Sequence, residues 1–115
     1  MLMPPEMIDD TIPIEEAVLR VQNSMKEREL QAIVKQMAEL CGWEYYHTYD
    51  SRRSNPGFPD VVMLRGERMI VAELKVQKGK VSEHQERWLK KFDKAGSEAY
   101  LWRPSDIREI EEILS

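Results

Sequence analysis

The sequence lacks the residues from which disulfide frameworks, zinc clusters and membrane spans are built. Its 115 residues include one cysteine, Cys41, which excludes an internal disulfide and a cysteine zinc cluster and fits a reducing compartment. No apolar run approaches the roughly 20 residues of a transmembrane helix. The acidic, proline-containing start MLMPPEMIDD has neither the basic nor the apolar region of a signal peptide. We therefore expect a cytoplasmic protein without a membrane partner.

The sequence also lacks the signature loops of several enzyme classes. It contains no glycine-rich phosphate-binding loop and no G-x-S-x-G motif, so nucleotide hydrolysis and acyl transfer have no support. The two histidines, His47 and His84, have no His, Cys or Asp partner at the spacing of metal ligands. We interpret them as a strand residue and a surface residue at a helix start, and Cys41 as a core residue.

The charge of the chain is unevenly distributed. A net charge of −4 is unfavourable for binding nucleic acid, but residues 1–29 carry seven acids and three bases, which accounts for the whole excess. Between Asp50 and Lys80, seven bases stand against four acids. A locally basic surface of this kind attracts phosphates. A solvated surface of mixed charge is the alternative.

The length fits a single domain with one core. Pro4, Pro5 and Pro13 interrupt any long helix in residues 1–22, which we interpret as an N-terminal arm with at most a short amphipathic helix over 14–21. Residues 23–115 are expected to form the folded domain.

Capping motifs, apolar periodicity and turn residues predict the order α-β-β-β-α-β-α within that domain. This order indicates an α/β sandwich around a mixed sheet of about four strands. The predicted elements are a helix from a capping box at Ser24–Glu27 to Gly42, an aromatic strand over 43–49, a hairpin over about 60–76, a helix from a second capping box at Ser82–Gln85 to Gly96, a strand over 99–103 and a last helix from Pro104.

The hairpin is expected to bring two acidic residues together. Two strand-like runs flank Arg-Gly-Glu-Arg, and a two-residue loop at Gly66-Glu67 sets a register in which Asp60 lies opposite Glu73. Opposed residues of an antiparallel pair have Cβ atoms about 4.5–5.5 Å apart, so a positive group must lie between the two carboxylates. Lys75 points to the same face as Glu73. These residues predict a divalent-cation site with a fixed positive charge.

The alternative is that Asp60 is a turn residue and that Glu73 and Lys75 form an exposed ion pair. Two features favour the cation site. Glu73 lies within the apolar run M-I-V-A-E-L, where an unpartnered carboxylate is costly to bury. The preceding Pro-Gly-Phe-Pro gives a rigid, non-helical approach to Asp60.

The first helix of the domain offers a third carboxylate. At about 100° per residue, Glu27 lies on the inward edge of the apolar face and Glu29 at its boundary, so Glu27 is the candidate and Glu29 the fallback. Glu27 is equally explained as the capping partner of Ser24. Gln85 also has two explanations: it completes the second capping box, and it faces the sheet, where its amide can bond to a metal-bound water or a phosphate oxygen.

With these residues in place, the chain resembles the PD-(D/E)xK nuclease superfamily through Pro59-Asp60 and Glu73-Leu74-Lys75. It is more closely similar to the VRR-NUC family of small nuclease domains, over nearly everything after residue 24. The resemblance implies a restriction-endonuclease-like fold, in agreement with the predicted element order. The supporting stretches are ERELQ (27–31), LCGW (40–43), SRRSNPGFPD (51–60), AELK (72–75), KGKVSEHQ (78–85) and WRPSD (102–106).

The family implies hydrolysis of DNA phosphodiester bonds with Mg²⁺ or Mn²⁺, and its stand-alone members resemble Holliday-junction resolvases, which act as homodimers on branched duplexes. A non-catalytic nucleic-acid-binding module and a nuclease for RNA or single strands are the alternatives. The expected metal ligands are Asp60, Glu73, the carbonyl of Leu74 and Glu27, with Lys75 and Gln85 as further catalytic residues. The expected nucleic-acid-binding residues are Arg52, Arg53, Lys78, Lys80 and Arg103, the last in place of the basic residue of the family-naming motif.

Overall fold

The computed structural model describes residues 11–49 and 55–115, and its helices and strands follow the predicted order. The four strands form one mixed sheet in the order β1-β2-β3-β4, antiparallel except for the parallel pair β3 and β4. The α/β class and the mixed four-stranded sheet are therefore confirmed. The elements are α1 (Ile14–Ser24), α2 (Glu27–Leu40), β1 (Glu44–His47), β2 (Val61–Arg65), β3 (Arg68–Leu74), α3 (Glu83–Lys94), β4 (Glu98–Trp102), a 3₁₀ turn (Pro104–Asp106) and α4 (Ile107–Leu114).

The register of the β2–β3 hairpin agrees with the sequence prediction. Arg65 pairs with Arg68, and Val62 pairs with Val71. The turn depends on Gly66, whose φ of +59° is the left-handed conformation that hairpin loops require and that glycine adopts without a steric cost. The two-residue loop therefore fixes which side chains share a face along the whole hairpin.

The hydrophobic core lies on one face of the sheet. The buried face of α2 packs there with α4, and the alternation of strand side chains sends the core residues of β2 and β3 to that side. On the opposite face, Val71 and Glu73 of β3 point toward α3. The fully buried core residues are Leu30, Val34, Ala38, Val61, Met63, Ile70, Ala72, Ile110 and Leu114, with Trp43, Leu74 and Trp102 almost fully buried.

The predicted capping box at Ser24 is wrong. Helix α1 continues through Ser24, whose hydroxyl donates to the Val21 carbonyl at 3.0 Å, so this residue ends one helix and does not begin the next. Helix α2 begins after Lys26, whose backbone N–H donates to the Glu29 carboxylate at 3.3 Å. Glu27 is consequently the first residue of α2 and not a capping partner.

Within residues 11–49 and 55–115, no helix is long and apolar enough to cross a bilayer.

Candidate active site

Asp60 and Glu73 meet where β2 begins and β3 ends. Val61 pairs with Ala72, and one register step further the antiparallel ladder places Asp60 beside Glu73. The Asp60 Oδ2 accepts a hydrogen bond from the backbone N–H of Leu74 at 2.9 Å. This bond fixes the Asp60 carboxylate against the end of β3.

Glu73 is the one buried charged residue among those described, with 2% of its surface exposed. Its Oε2 accepts a hydrogen bond from Gln85, while its Oε1 is buried without a hydrogen-bond partner in the described part of the chain. Burial and the negative charge of Asp60 raise the pKa of Glu73 to about 8, and the positive charge of Lys75 opposes them. A carboxylate in this state needs a proton or a cation.

Gln85 serves two purposes with different atoms of one amide. Its side-chain Oε1 accepts from the backbone N–H of Ser82 at 2.9 Å. The backbone N–H of Gln85 donates to the Ser82 hydroxyl at 3.1 Å, and the two bonds form the predicted second capping box. The remaining Nε2 donates to Glu73 Oε2 at 2.7 Å. The capping explanation is therefore confirmed, and the amide faces the sheet as predicted, where it bonds to Glu73. Its bond to a metal-bound water or a phosphate oxygen stays a prediction.

The loop before Asp60 lies directly on that first turn. Gly57 has a φ of +85°, and a Cβ there would come within 2.4 Å of the His84 carbonyl carbon and 2.6 Å of the Gln85 nitrogen. Only glycine permits this approach of two backbones. The indole N–H of Trp88 adds a hydrogen bond to the Pro56 carbonyl at 3.1 Å. The sequence indicated a rigid loop from its prolines but gave no sign of this contact.

The opposite side of the loop is held by β1. The Thr48 N–H donates to the Asp60 carbonyl at 2.8 Å, and the Thr48 hydroxyl donates to the Pro59 carbonyl at 3.1 Å. Asp60 is thus fixed from both sides, by Thr48 at the end of β1 and by α3 beneath Gly57.

Glu27, at the start of α2, faces Asp60 across a cavity of about 280 Å³. Partial burial and the charge of Asp60 raise the pKa of Glu27, whereas Lys75 and His47 lower it. Glu29 has a different use, because its carboxylate caps the helix at Lys26. The cavity is lined by Glu27, Gln31, His47, Thr48, Tyr49, Asn55, Gly57, Phe58 and Asp60.

Two residues of β1 that the sequence did not bring to the site lie beside this cavity. The Tyr45 hydroxyl and the His47 Nδ1 are both buried without a hydrogen-bond partner among the described residues. Burial and the nearby Asp60 charge raise the pKa of Tyr45 to about 12. The sequence shows that these two residues share one face of β1, because they are two positions apart. It does not show that His47 pairs with Val61, which places His47 next to Asp60.

Lys75 follows β3 directly, and its N–H donates to the Trp102 carbonyl at 3.0 Å. It is half-buried, and its charge acts on both Glu73 and Glu27. Residues 76–80 follow, a segment that we call the lysine loop, and its Lys78 and Lys80 are exposed.

Arg103 supports that loop from below. Its Nη1 donates to the carbonyls of Val76 and Gly79, each at 2.8 Å, and of Gln77 at 3.2 Å. The Gln77 amide adds two hydrogen bonds to Ser105, one to its hydroxyl and one from its N–H, both at 3.0 Å. The lysine loop is therefore clamped to the turn after β4.

The other predicted basic residues divide into two groups. Arg52 and Arg53 lie outside the described residues. Arg65 and Arg68, which the sequence count included in the basic surface, are at the far end of the hairpin, 4.6 and 5.0 Å above the Trp43 ring. Arg68 is also paired with Glu98 at 2.8 Å. Those two charges therefore act away from the site.

The donor set suits a cation that keeps water in its shell. Among residues 11–49 and 55–115, no group of three or more His, Cys, Asp and Glu side chains is arranged to hold a metal ion alone. Mg²⁺ commonly binds through one or two carboxylates and completes its shell with water and substrate phosphate. The unpartnered Oε1 of Glu73 beside Asp60 fits that requirement.

Comparison with known proteins gave a family and a fold. The sequence profile of the family described as VRR-NUC domain matches residues 6–105, a stretch that includes α1. A solved structure described as "VRR_NUC domain" is similar with a TM-score of 0.64 and 23% sequence identity, covering 77% of this chain and 97% of the other. The comparison with curated proteins gave no match.

Proposed function

The chain belongs to the VRR-NUC family, and we propose that it is a Mg²⁺- or Mn²⁺-dependent endonuclease that hydrolyses phosphodiester bonds of DNA. The family has a nuclease fold and implies a nucleic-acid substrate. One observation carries the catalytic proposal: Glu73 is buried beside a second carboxylate, with one oxygen unpartnered among the described residues. Such an arrangement is unfavourable by itself and becomes favourable when a cation neutralises it.

The residues that would hold the cation are Asp60, Glu73, the carbonyl oxygen of Leu74 and Glu27. When bound, a divalent cation at this position neutralises a phosphate oxygen and makes a bound water more acidic. Hard oxygen donors of this kind suit Mg²⁺ and Mn²⁺.

The chain's own residues orient the substrate and stabilise charge. Hydrolysis joins the oxygen of water to phosphorus and breaks one ester bond, which leaves a phosphomonoester and an alcohol. The Lys75 ammonium stabilises the negative charge that grows on the phosphate during this step. Gln85 holds Glu73 in one orientation, and the Gly57 loop holds Asp60, so the two acids do not have to reorganise when the substrate arrives.

The lysine loop is proposed to grip the nucleic-acid backbone. Lys78 and Lys80 are exposed there, and Arg52 and Arg53 are expected to act with them. Contacts of this type bind phosphates regardless of sequence and make the affinity depend on salt. Arg103 contributes through the loop, because its Nη1 already donates to loop carbonyls.

A branched duplex is the proposed DNA substrate, and the chain is proposed to act as a homodimer. We assign the catalytic domain to residues 23–115 and treat 1–22 as an arm that contributes to dimerisation, although α1 and the family match over residues 6–105 both cross this boundary. The apolar side of α1 supports this, because Ile14, Val18 and Val21 are 71%, 46% and 60% exposed. Light scattering of wild type and of the double variant V18S/V21S tests the proposal. We expect wild type to be a dimer and V18S/V21S to be a monomer. A monomeric wild type contradicts the proposed dimer.

Metal-dependent cleavage tests the proposed activity. Wild type is expected to nick supercoiled plasmid with Mg²⁺ or Mn²⁺, and Lys75→Ala to be about 100-fold slower or more, with unchanged folding by circular dichroism. Lys35→Ala, which removes an exposed lysine of α2, is the matched control. A Lys75→Ala variant as active as wild type contradicts the proposal.

A substrate panel separates the alternatives. Linear duplex, four-way junction, flap, single-stranded DNA and RNA are compared under the same conditions. Preference for the junction or the flap supports a branched duplex as the substrate. Preference for RNA or continuous single strands favours a nuclease that acts on those substrates. Binding without cleavage of any substrate favours the non-catalytic module.

A further inference from the structure

A second cavity, which we call the aromatic groove, continues from the candidate active site. It has a volume of about 500 Å³ and is lined by Tyr46, Thr48, Asn55, Phe58 and Trp88. Thr48, Asn55 and Phe58 also line the cavity that contains Asp60. A ligand bound at Asp60 can therefore extend into the aromatic groove without leaving the protein surface.

One wall of the groove is rigid. The Phe58 ring meets the Trp88 ring edge-on, with centroids 5.2 Å apart, and Trp88 stacks on Phe92 at 5.9 Å. The hydrogen bond from the Trp88 indole to the Pro56 carbonyl fixes the orientation of that ring. A flat ligand here meets aromatic rings that are already in position.

The other wall belongs to an uncovered part of the sheet. Tyr46 and Leu64, which lie on the outward face of β1 and β2, are 60% and 50% exposed. Helix α3 packs on β3 and β4 and leaves this face open. The exposed Tyr46 and the fixed Trp88 both line the groove, so a flat ligand in it has an aromatic side chain from each element within reach.

The described residues that line the groove carry no charge, and this indicates which part of a nucleotide they fit. Tyr46, Thr48, Asn55, Phe58 and Trp88 are neutral, whereas the neighbouring cavity has Glu27 and Asp60, and the charge of Lys75 acts on Glu27 and Glu73. The phosphate therefore belongs beside the charged residues and the flat, neutral base in the groove. The side chains of Thr48 and Asn55 offer hydrogen-bonding groups to the edge of a base.

We propose that the aromatic groove stacks an unpaired nucleobase of the strand whose phosphate lies at Asp60. A base in a continuous duplex is paired and stacked and cannot enter the groove without first leaving the helix. The enzyme therefore prefers substrates with an unpaired nucleotide next to the cleaved bond, as at a flap or a branch point. This inference rests on the proposed function for its substrate and names the structural feature that the site selects.

Binding without catalysis tests the proposal. A duplex with one unpaired 2-aminopurine is titrated with wild type in EDTA, and so is the same duplex with an abasic site at that position. We expect quenching of the 2-aminopurine on binding. The affinity, followed for both duplexes by the anisotropy of a dye at the far end, is expected to be about 5- to 50-fold higher for the base than for the abasic site. Tyr46→Ala is expected to lose that difference and Tyr46→Phe to retain it. Leu40→Ala, at an apolar position 80% exposed, is the control.

The outcomes distinguish this proposal from the proposed activity. Equal binding of base and abasic duplex by wild type, or unchanged discrimination by Tyr46→Ala, overturns it. A change of oligomeric state in Tyr46→Ala with unchanged DNA binding overturns it in favour of a contact between protein copies. Base-dependent quenching in a protein that cleaves nothing supports the groove while the nuclease proposal fails.

Discussion

The Nε2 of Gln85 donates a 2.7 Å hydrogen bond to the Oε2 of Glu73, while the Oε1 of the same glutamine accepts from the N–H of Ser82. A helix-capping residue thereby orients a buried carboxylate of the candidate site. The first turn of α3 and the end of β3 are linked through a single amide. The position of that helix therefore sets the geometry of the acidic pair.

Substitution of Gln85 separates its role in capping α3 from its role in orienting Glu73. Gln85→Ala is expected to lower thermal stability and also to weaken Mn²⁺ binding about 10-fold, because Glu73 loses its positioning partner. Ser82→Ala is the matched control, since it removes about 1 kcal/mol of capping and leaves the Glu73 bond in place. Equal Mn²⁺ affinity in Gln85→Ala and Ser82→Ala would contradict a positioning role.

The stability of the metal-free protein is expected to fall as the pH rises. The pKa of Glu73 is raised to about 8 in the folded state, so folding favours the protonated carboxyl. Its contribution to the free energy of unfolding is fully present below the usual glutamate pKa and is lost as the pH rises through 8. Denaturation in EDTA should show a loss of roughly 2–4 kcal/mol between pH 5 and 8.5. Glu73→Gln should flatten this slope, and an unchanged slope in that variant contradicts the assignment.

Gly57→Ala is expected to disrupt the site. A Cβ there would lie 2.4 Å from the His84 backbone, so the loop or α3 must shift and Asp60 moves with it. Gly66→Ala is the control, because Gly66 also has a positive φ but no atom within 4 Å of the added Cβ. We expect about 1–2 kcal/mol of destabilisation at Gly66 and more at Gly57, by chemical denaturation. Equal losses would show that the close contact is unimportant.

Arg103 is expected to act by supporting the lysine loop. Arg103→Lys keeps the positive charge but loses the planar group that reaches three loop carbonyls. It should increase hydrogen exchange over residues 76–80 and weaken DNA binding, with little change in the salt dependence of the affinity. Lys78→Ala should instead reduce the salt slope by about one. Arg103→Ala should likewise increase exchange and leave the salt slope unchanged. A reduced slope in Arg103→Ala with unchanged exchange would indicate a direct phosphate contact.

The hairpin and its acidic pair were predictable because a local signal determines them. Once Gly66 closes a two-residue loop, every later pairing follows residue by residue to Val61 and Ala72, and the next position along each strand is Asp60 and Glu73. The position of Gln85 was also predictable from the sequence, since its capping pattern and its distance from Trp88 placed it on the sheet side of α3. Both inferences needed only neighbouring residues in the sequence.

The features that escaped prediction depend on contacts between distant segments. The position of His47 requires the β1–β2 pairing, whose connecting segment has no turn signature that fixes a register. The Gly57 approach to α3 and the Arg103 bonds to the lysine loop join segments more than twenty residues apart. The capping pattern at Ser24 failed for a related reason, because α1 extended through it.

Calorimetric titration of the metal-free protein with Mn²⁺ tests the central claim most directly, because it depends on the acidic pair and not on the choice of substrate. We predict saturable binding by wild type at pH 8 that is weakened at least about 10-fold in both Asp60→Asn and Glu73→Gln. Glu29→Gln, which alters only the helix cap, should bind as wild type does. Equal Mn²⁺ affinity in wild type, Asp60→Asn and Glu73→Gln would contradict the account.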